Sequence, residues 1–225
     1  MKILLNKGRN KSLSSYLNYY AIEGNIHIMD NHLGAIAPLY EFGNKLKEMI
    51  FYHIDRHYDL GGLNDYHEEY FLGQKQIPEI KQLDSVKSIR GCNIFLWDNY
   101  IHLFYSRFDE KVKETYFITH QTTQFFWDWD NFQELTPFQL INHHPYDEKG
   151  IIFNLDIDFF FHQTKEGDIC EAFSEKYLEE FQNWFTNNKD RFELIIIALS
   201  PECCGRWPKA IGMFNKLFPE LEIAL

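Results

Sequence analysis

Two short runs of carboxylates and histidines close apolar segments about a hundred residues apart in this chain of 225 residues. The first, Asp55-Arg56-His57-Tyr58-Asp59, follows Met49-Ile50-Phe51-Tyr52-His53-Ile54. The second, Asp156-Ile157-Asp158, follows Ile151-Ile152-Phe153-Asn154-Leu155. Side chains on extended backbone alternate faces, so Asp55, His57 and Asp59 are expected to point one way, as are Asp156 and Asp158. Four carboxylates and an imidazole cannot gather in one cleft without cations to offset their repulsion. The spacing therefore points to a metal site, and to one holding two ions. A donor set rich in carboxylate, poor in histidine and without thiolate favours Mn²⁺ over Zn²⁺ or copper, with Fe²⁺ or Co²⁺ as substitutes. Two such ions ~3.5–4 Å apart make a nucleophile of a shared water near neutral pH, which is metal-assisted hydrolysis.

The elements that must position these groups alternate between strand-like and helix-like segments, the pattern of an α/β fold with a mostly parallel central sheet. Tyr16–Ile22 and Asn25–Met29 flank Glu23-Gly24 as a hairpin, and a helix is expected over Leu33–Glu48 before the buried strand Met49–Ile54. Gly61-Gly62 opens a loop directly after the first cluster. Between Gly73 and Pro145 the candidate strands are Ile94–Trp97, Ile101–Tyr105 and Tyr116–Thr119. Beyond them come a strand over Ile151–Ile157, a helix over Ser174–Asn187, a fully buried strand over Leu194–Leu199 and a helix over Pro208–Leu217, with Pro in its first turn. Ligands of open α/β sheets bind beyond the carboxyl ends of the strands. Both clusters sit at such ends, as do Ser200-Pro201-Glu202 and, just past Met29, His32.

Composition narrows the class. One α/β domain over residues 1–225 is long enough to bury a full core. Hydrophobic residues form 45% and aromatics 17%, which argues for a packed globule rather than disorder. The net charge of −11 disfavours nucleic acid and suits cations. Cys92, Cys170, Cys203 and Cys204 form no CxxC pair, and two are adjacent, which fits a reducing cytoplasm. The start lacks the apolar core of a signal peptide, and no apolar run approaches the ~20 residues of a membrane span. A cytoplasmic protein without membrane association is expected.

His32, Asp55-x-His57-x-Asp59 and Asp156-x-Asp158 together resemble the arginase (ureohydrolase) superfamily in order and spacing. The resemblance implies a three-layer arginase/deacetylase-like α/β fold and a binuclear manganese site. It makes Asp55 and Asp156 bridging ligands, with His32 and Asp59 completing one ion and His57 and Asp158 the other. It places Glu202 where the substrate guanidinium is oriented, and it gives Asp158 the proton of the nucleophile. The chain also departs from ordinary arginases. Leu60-Gly61-Gly62 stands where an Asn helps to bind the α-carboxylate of free arginine, Phe159-Phe160-Phe161 replaces an Asp-Pro, and Asp30-Asn31-His32-Leu33 replaces Gly-Asp-His-Ser. These segments look more like a divergent branch that includes the peptide arginases. That likeness implies conversion of arginine to ornithine and urea in a ribosomally made precursor peptide. An agmatinase- or arginase-like hydrolase of a small guanidino compound is the alternative, and a deacetylase-type amide hydrolase or a non-catalytic binding protein on the same fold are others.

His67 is the first candidate for the proton shuttle to the departing amine, with His162 and the pair His143-His144 as alternatives. Cys203-Cys204 reads as a buried small-residue pair beside the site rather than a nucleophile. Trp97-Asp98-Asn99-Tyr100 and Phe125-Phe126-Trp127-Asp128-Trp129-Asp130 interleave aromatics with acids. Such a surface suits an arginine-containing peptide, although core aromatics with solvated polar neighbours explain it equally well.

Overall fold

The protein was analysed as a computed structural model, which describes residues 1–63, 70, 73, 77–120, 131–145, 150–221 and 223. The longest apolar runs form the centre of the sheet because both their faces are covered. Strands β4 (Met49–Ile54), β7 (Ile151–Asp156) and β10 (Phe192–Ala198) lie side by side, and every residue of β4 and β7 is buried. Around them are β1 (Lys2–Asn6), β2 (Tyr19–Glu23), β3 (Ile26–Met29), β5 (Val112–Ile118) and β6 (Phe132–Leu135). The eight strands are ordered β1-β2-β3-β10-β7-β4-β5-β6, and β2 runs opposite to the others. A separate hairpin pairs β8 (Phe161–Gln163) with β9 (Ile169–Glu171).

Strand alternation divides the core into two layers. Ile50, Tyr52, Phe153, Leu155, Ile195 and Ile197 face α4 (Glu175–Asn188) and α5 (Trp207–Leu217). Met49, Phe51, Ile152, Leu194 and Ile196 face α1 (Ile36–Lys45) and α2 (Tyr100–Phe108). Helix α3 (Pro137–Leu140) is a single turn closed by a capping box between Thr136 and Gln139. Ser174, expected as the first residue of its helix, instead caps α4 by accepting from the Tyr177 amide, and Pro208 sits in the first turn of α5 as the sequence indicates. No helix among the described residues is long and apolar enough to cross a membrane.

Two expected strands are corrected. Ile101–Tyr105 lies inside α2, whose buried residues Tyr100, Ile101, Phe104, Tyr105 and Phe108 recur at helical spacing beneath a locally strand-like composition. Ile94–Trp97 is a loop, pinned by the Asn99 side chain, which donates to Ile94 O at 3.0 Å and accepts from Leu96 N at 3.0 Å. The helix expected over Leu33–Glu48 is shorter, beginning as a 3₁₀ turn over His32–Ala35 and ending at Lys45. β1 and β6 went unread because the outermost strands of a sheet carry few buried side chains.

Candidate metal centre

The topology brings four site segments together. The chain passes from β3 to β4 across a gap of two strands, later filled by β7 and β10. The parallel strands β3, β10, β7 and β4 are therefore neighbours, and their carboxyl ends present His32, Ser200 to Glu202, Asp156 with Asp158, and Asp55 to Asp59 along one rim. Such reversals of strand order are where α/β sheets open a crevice.

Local turns aim the carboxylates. Asp55 Oδ1 accepts from the His57 amide at 2.6 Å, and Asp156 Oδ1 accepts from the Asp158 amide at 2.8 Å. Asp-x-His and Asp-x-Asp are thus the same device, a side chain that closes a turn two residues on and ends its strand. The clusters converge through these turns rather than by continued strand alternation. Asp59 completes the bend in a left-handed conformation at φ 51°. Just past β3, buried Asp30 accepts from Ser12 Oγ and from the amides of Asn18 and Tyr19. Asn31 caps the 3₁₀ turn that begins at His32.

The six expected ligands come together. His32 Nδ1 lies 2.8 Å from Asp59 Oδ2, 3.3 Å from Asp55 Oδ2 and 3.5 Å from Asp156 Oδ2. His57 Nδ1 lies 3.1 Å from Asp158 Oδ2 and 3.4 Å from Asp55 Oδ1. Three trios, His32–Asp55–Asp156, His53–Asp55–Asp59 and Asp55–His57–Asp158, each have ligand atoms within 4.8 Å of one another and could hold a metal ion. Asp55 belongs to all three, as a shared ligand would. Asp156 falls in the first trio, with its Oδ2 taking a 2.5 Å hydrogen bond from Ser200 Oγ.

The electrostatics point the same way. Burial pushes the Asp59 carboxyl up to about 7, helped by the charge of Asp55, and burial with Asp158 and Asp55 pushes Asp156 well above the carboxylate range. Burial also opposes charge on Asp55 and on both histidines, but their mutual pairing prevails. His32 and His57 hold Asp55 well below its ordinary value, while the carboxylates lift His32 far above its own and His57 to about 11. The buried atoms His32 Nε2, Asp55 Oδ2 and Asp158 Oδ2 have no hydrogen-bond partner, which suits a site completed by something else. The donor set, oxygen-rich with two imidazoles, could hold a metal ion.

Sequence reasoning missed a layer behind the ligands. His53, lowered to about 4 by burial, meets the His57 carbonyl through Nε2 at 3.0 Å. With Nε2 as the donor, Nδ1 accepts from Asn154 Nδ2 at 2.9 Å, and the same amide donates to Tyr100 Oη at 2.7 Å. His53 and Asn154 are paired across β4 and β7, each two residues before a ligand aspartate. A polar residue at that position in both apolar runs was the available signal. Arg56, inside the first cluster, is also buried against the site.

A cavity of about 310 Å³ opens over the rim, and the described residues lining it include Asp59, Asp98, Asp156, Asp158 and Glu202 but no lysine or arginine. Glu202 is exposed and accepts from the Ser12 amide at 3.2 Å. Trp97 and Asp98 form a wall tied to the first cluster, the Gly61 amide donating to Asp98 O at 2.5 Å. A Cβ on Gly61 would lie 2.7 Å from that oxygen, so glycine is required there. Cys203 lines the cavity with its thiol pushed up by burial, and Cys204 is buried beneath it. His67 and the run Phe125 to Asp130 lie outside the described residues. His143, bonded to Tyr52 Oη at 2.9 Å, and exposed His144 and His162 are not among the described residues lining this cavity. No family model matches the chain, and no curated protein matches it either.

Proposed function

We propose that this chain is a two-metal hydrolase with an arginase-like three-layer fold that acts on the guanidinium of peptidyl arginine, giving ornithine and urea in a precursor peptide. The observation that carries the reading is the convergence of His32, Asp55, His57, Asp59, Asp156 and Asp158 at one rim, with Asp55 common to all three trios. His32, Asp55, Asp59 and Asp156 would hold one Mn²⁺, and Asp55, Asp156, His57 and Asp158 the other. Bound there, the ions would supply an activated water to attack the guanidinium carbon.

The remaining steps belong to the protein. Glu202, on the exposed lip of the cavity, would grip the guanidinium through charge-assisted hydrogen bonds. Asp158, whose Oδ2 faces the His57 ring at the cavity wall, would take the proton of the attacking water. A donor must then protonate the departing amine, and His67 keeps that role in the proposal. The acid-rich lining, with no lysine or arginine among its described residues, supports a cationic substrate. Leu60-Gly61-Gly62, standing where arginases place an Asn that helps to bind an α-carboxylate, favours an arginine flanked by neutral amides over free arginine. Incubation of the Mn²⁺-loaded protein with free arginine, agmatine and an arginine peptide tests the reading. Urea release with an Arg-to-Orn mass change in the peptide is expected, and turnover of agmatine alone would overturn the substrate.

A further inference from the structure

Arg56 stands where the two-ion reading has no use for it. Its side chain is only 10% exposed, and its Nη2 lies 3.6 Å from Asp158 Oδ2 and 3.5 Å from His57 Nε2. Its amide points at Asp158 Oδ1 at 3.4 Å, and Thr119 Oγ1 fixes its carbonyl at 2.8 Å. Nε and Nη1 are buried without a hydrogen-bond partner. Burying a guanidinium with two idle nitrogens is costly, and the charge cannot be shed, because arginine does not deprotonate in proteins. Asp158 is the nearest negative group, so the guanidinium sits there as its counter-ion. Among the described residues no lysine or arginine pairs with the His32 side, where His32 Nδ1 faces Asp55, Asp59 and Asp156 beside the rings of Tyr100 and His53.

We propose that Arg56 is a resident cation on the Asp158 side of the centre, so that the two positions load in sequence, the His32 position first. This rests on the metal-centre reading and goes beyond it, because the ligand set alone predicts two similar sites. An ion entering between His57 and Asp158 meets a full positive charge within a few ångströms and must share Asp158 with it. An ion entering beside His32 meets no guanidinium. The second position should therefore be weaker by about tenfold or more.

The test is a titration of the chelator-stripped full chain with Mn²⁺, followed by calorimetry and by electron paramagnetic resonance. Wild type should bind one ion tightly and show an isolated Mn²⁺ signal at one equivalent, with the spin-coupled pair appearing only at tenfold or higher free metal. His57→Ala should keep the first ion and His32→Ala should lose it. Arg56→Met should bring the two affinities together and show coupled pairs at one equivalent, while Arg56→Lys should retain the gap. A coupled signal from wild type at one equivalent, or an unchanged gap in Arg56→Met, overturns the role of Arg56 while leaving the centre intact. If Arg56→Met does not fold, the wild-type, His32→Ala and His57→Ala titrations decide alone. A protein that takes up no Mn²⁺ overturns the centre itself.

Discussion

Asp59 gives the sharpest handle on the electrostatics of the metal-free centre. An unfolded aspartate loses its proton near 3.8, whereas the folded Asp59 holds its proton up to about 7 because it is buried beside Asp55. Between those values the folded state binds the extra proton, so stability falls as pH rises through the window and stays low above it. At about 1.4 kcal/mol per pH unit, the carboxyl weakens the metal-free fold by about 4 kcal/mol at pH 8. Asn fits the site, since it tolerates the left-handed φ of 51° and its carbonyl still accepts from His32 Nδ1 at 2.8 Å. His32 loses an ionic partner in the exchange, so Asp59→Asn should stabilise the chelator-stripped protein by about 2 to 4 kcal/mol at pH 8. For a chain of this size that is a melting shift of about 4 to 16 °C upward. Near pH 4 most of the gain should be gone, because the folded carboxyl is protonated and the unfolded one only about half ionised. Mn²⁺ should reverse the trend. Wild type should gain about 2.7 kcal/mol from each position at a hundredfold excess over its Kd, and Asp59→Asn, lacking a ligand, should gain less. Urea denaturation at both pH values, with and without metal, reads all four cells. A metal-free Asp59→Asn protein less stable than wild type at pH 8, or equally stabilised at pH 4, would refute the reasoning.

Three further outcomes follow from individual contacts. Gly61→Ala should cost about 1–3 kcal/mol, because its Cβ would lie 2.7 Å from Asp98 O and one loop must move. Gly62→Ala, with nothing within 4 Å, should be near neutral in the same melt. Asn154→Leu removes both donations to His53 and Tyr100. It should destabilise by about 2 kcal/mol and lower Mn²⁺ affinity ~10-fold or more by calorimetry, since His53 no longer anchors the His57 carbonyl. Glu202→Gln should leave the melting temperature and metal content unchanged while raising KM for an arginine peptide about tenfold, and an unchanged kcat/KM would remove Glu202 from substrate binding.

The ligand set was legible because aspartates and histidines that end buried apolar strands have few other reasons to be there. The way they converge was not. Sequence alternation placed Asp55, His57 and Asp59 on one face of a strand, whereas two side-chain-closed turns and a left-handed aspartate achieve it. Such turns depend on which oxygen an aspartate offers to which amide, a choice made only once neighbouring strands fix the backbone. His53 and Asn154 were hidden for a related reason. Each reads as an isolated polar lapse in an apolar run until the β4–β7 register sets them side by side. Tyr100–Phe108 misled because aromatic and branched residues favour strands locally, while its buried positions follow a helical period that tertiary packing enforces.

The central claim is that six side chains from three loops of one sheet rim hold a pair of divalent cations. Crystals grown with Mn²⁺ and measured for anomalous scattering address it directly. Two peaks ~3.5–4 Å apart are expected, one beside His32 and Asp59, the other beside His57 and Asp158, with Asp55 between them. An anomalous map with no peak at that rim, or with manganese bound elsewhere on the protein, would contradict it.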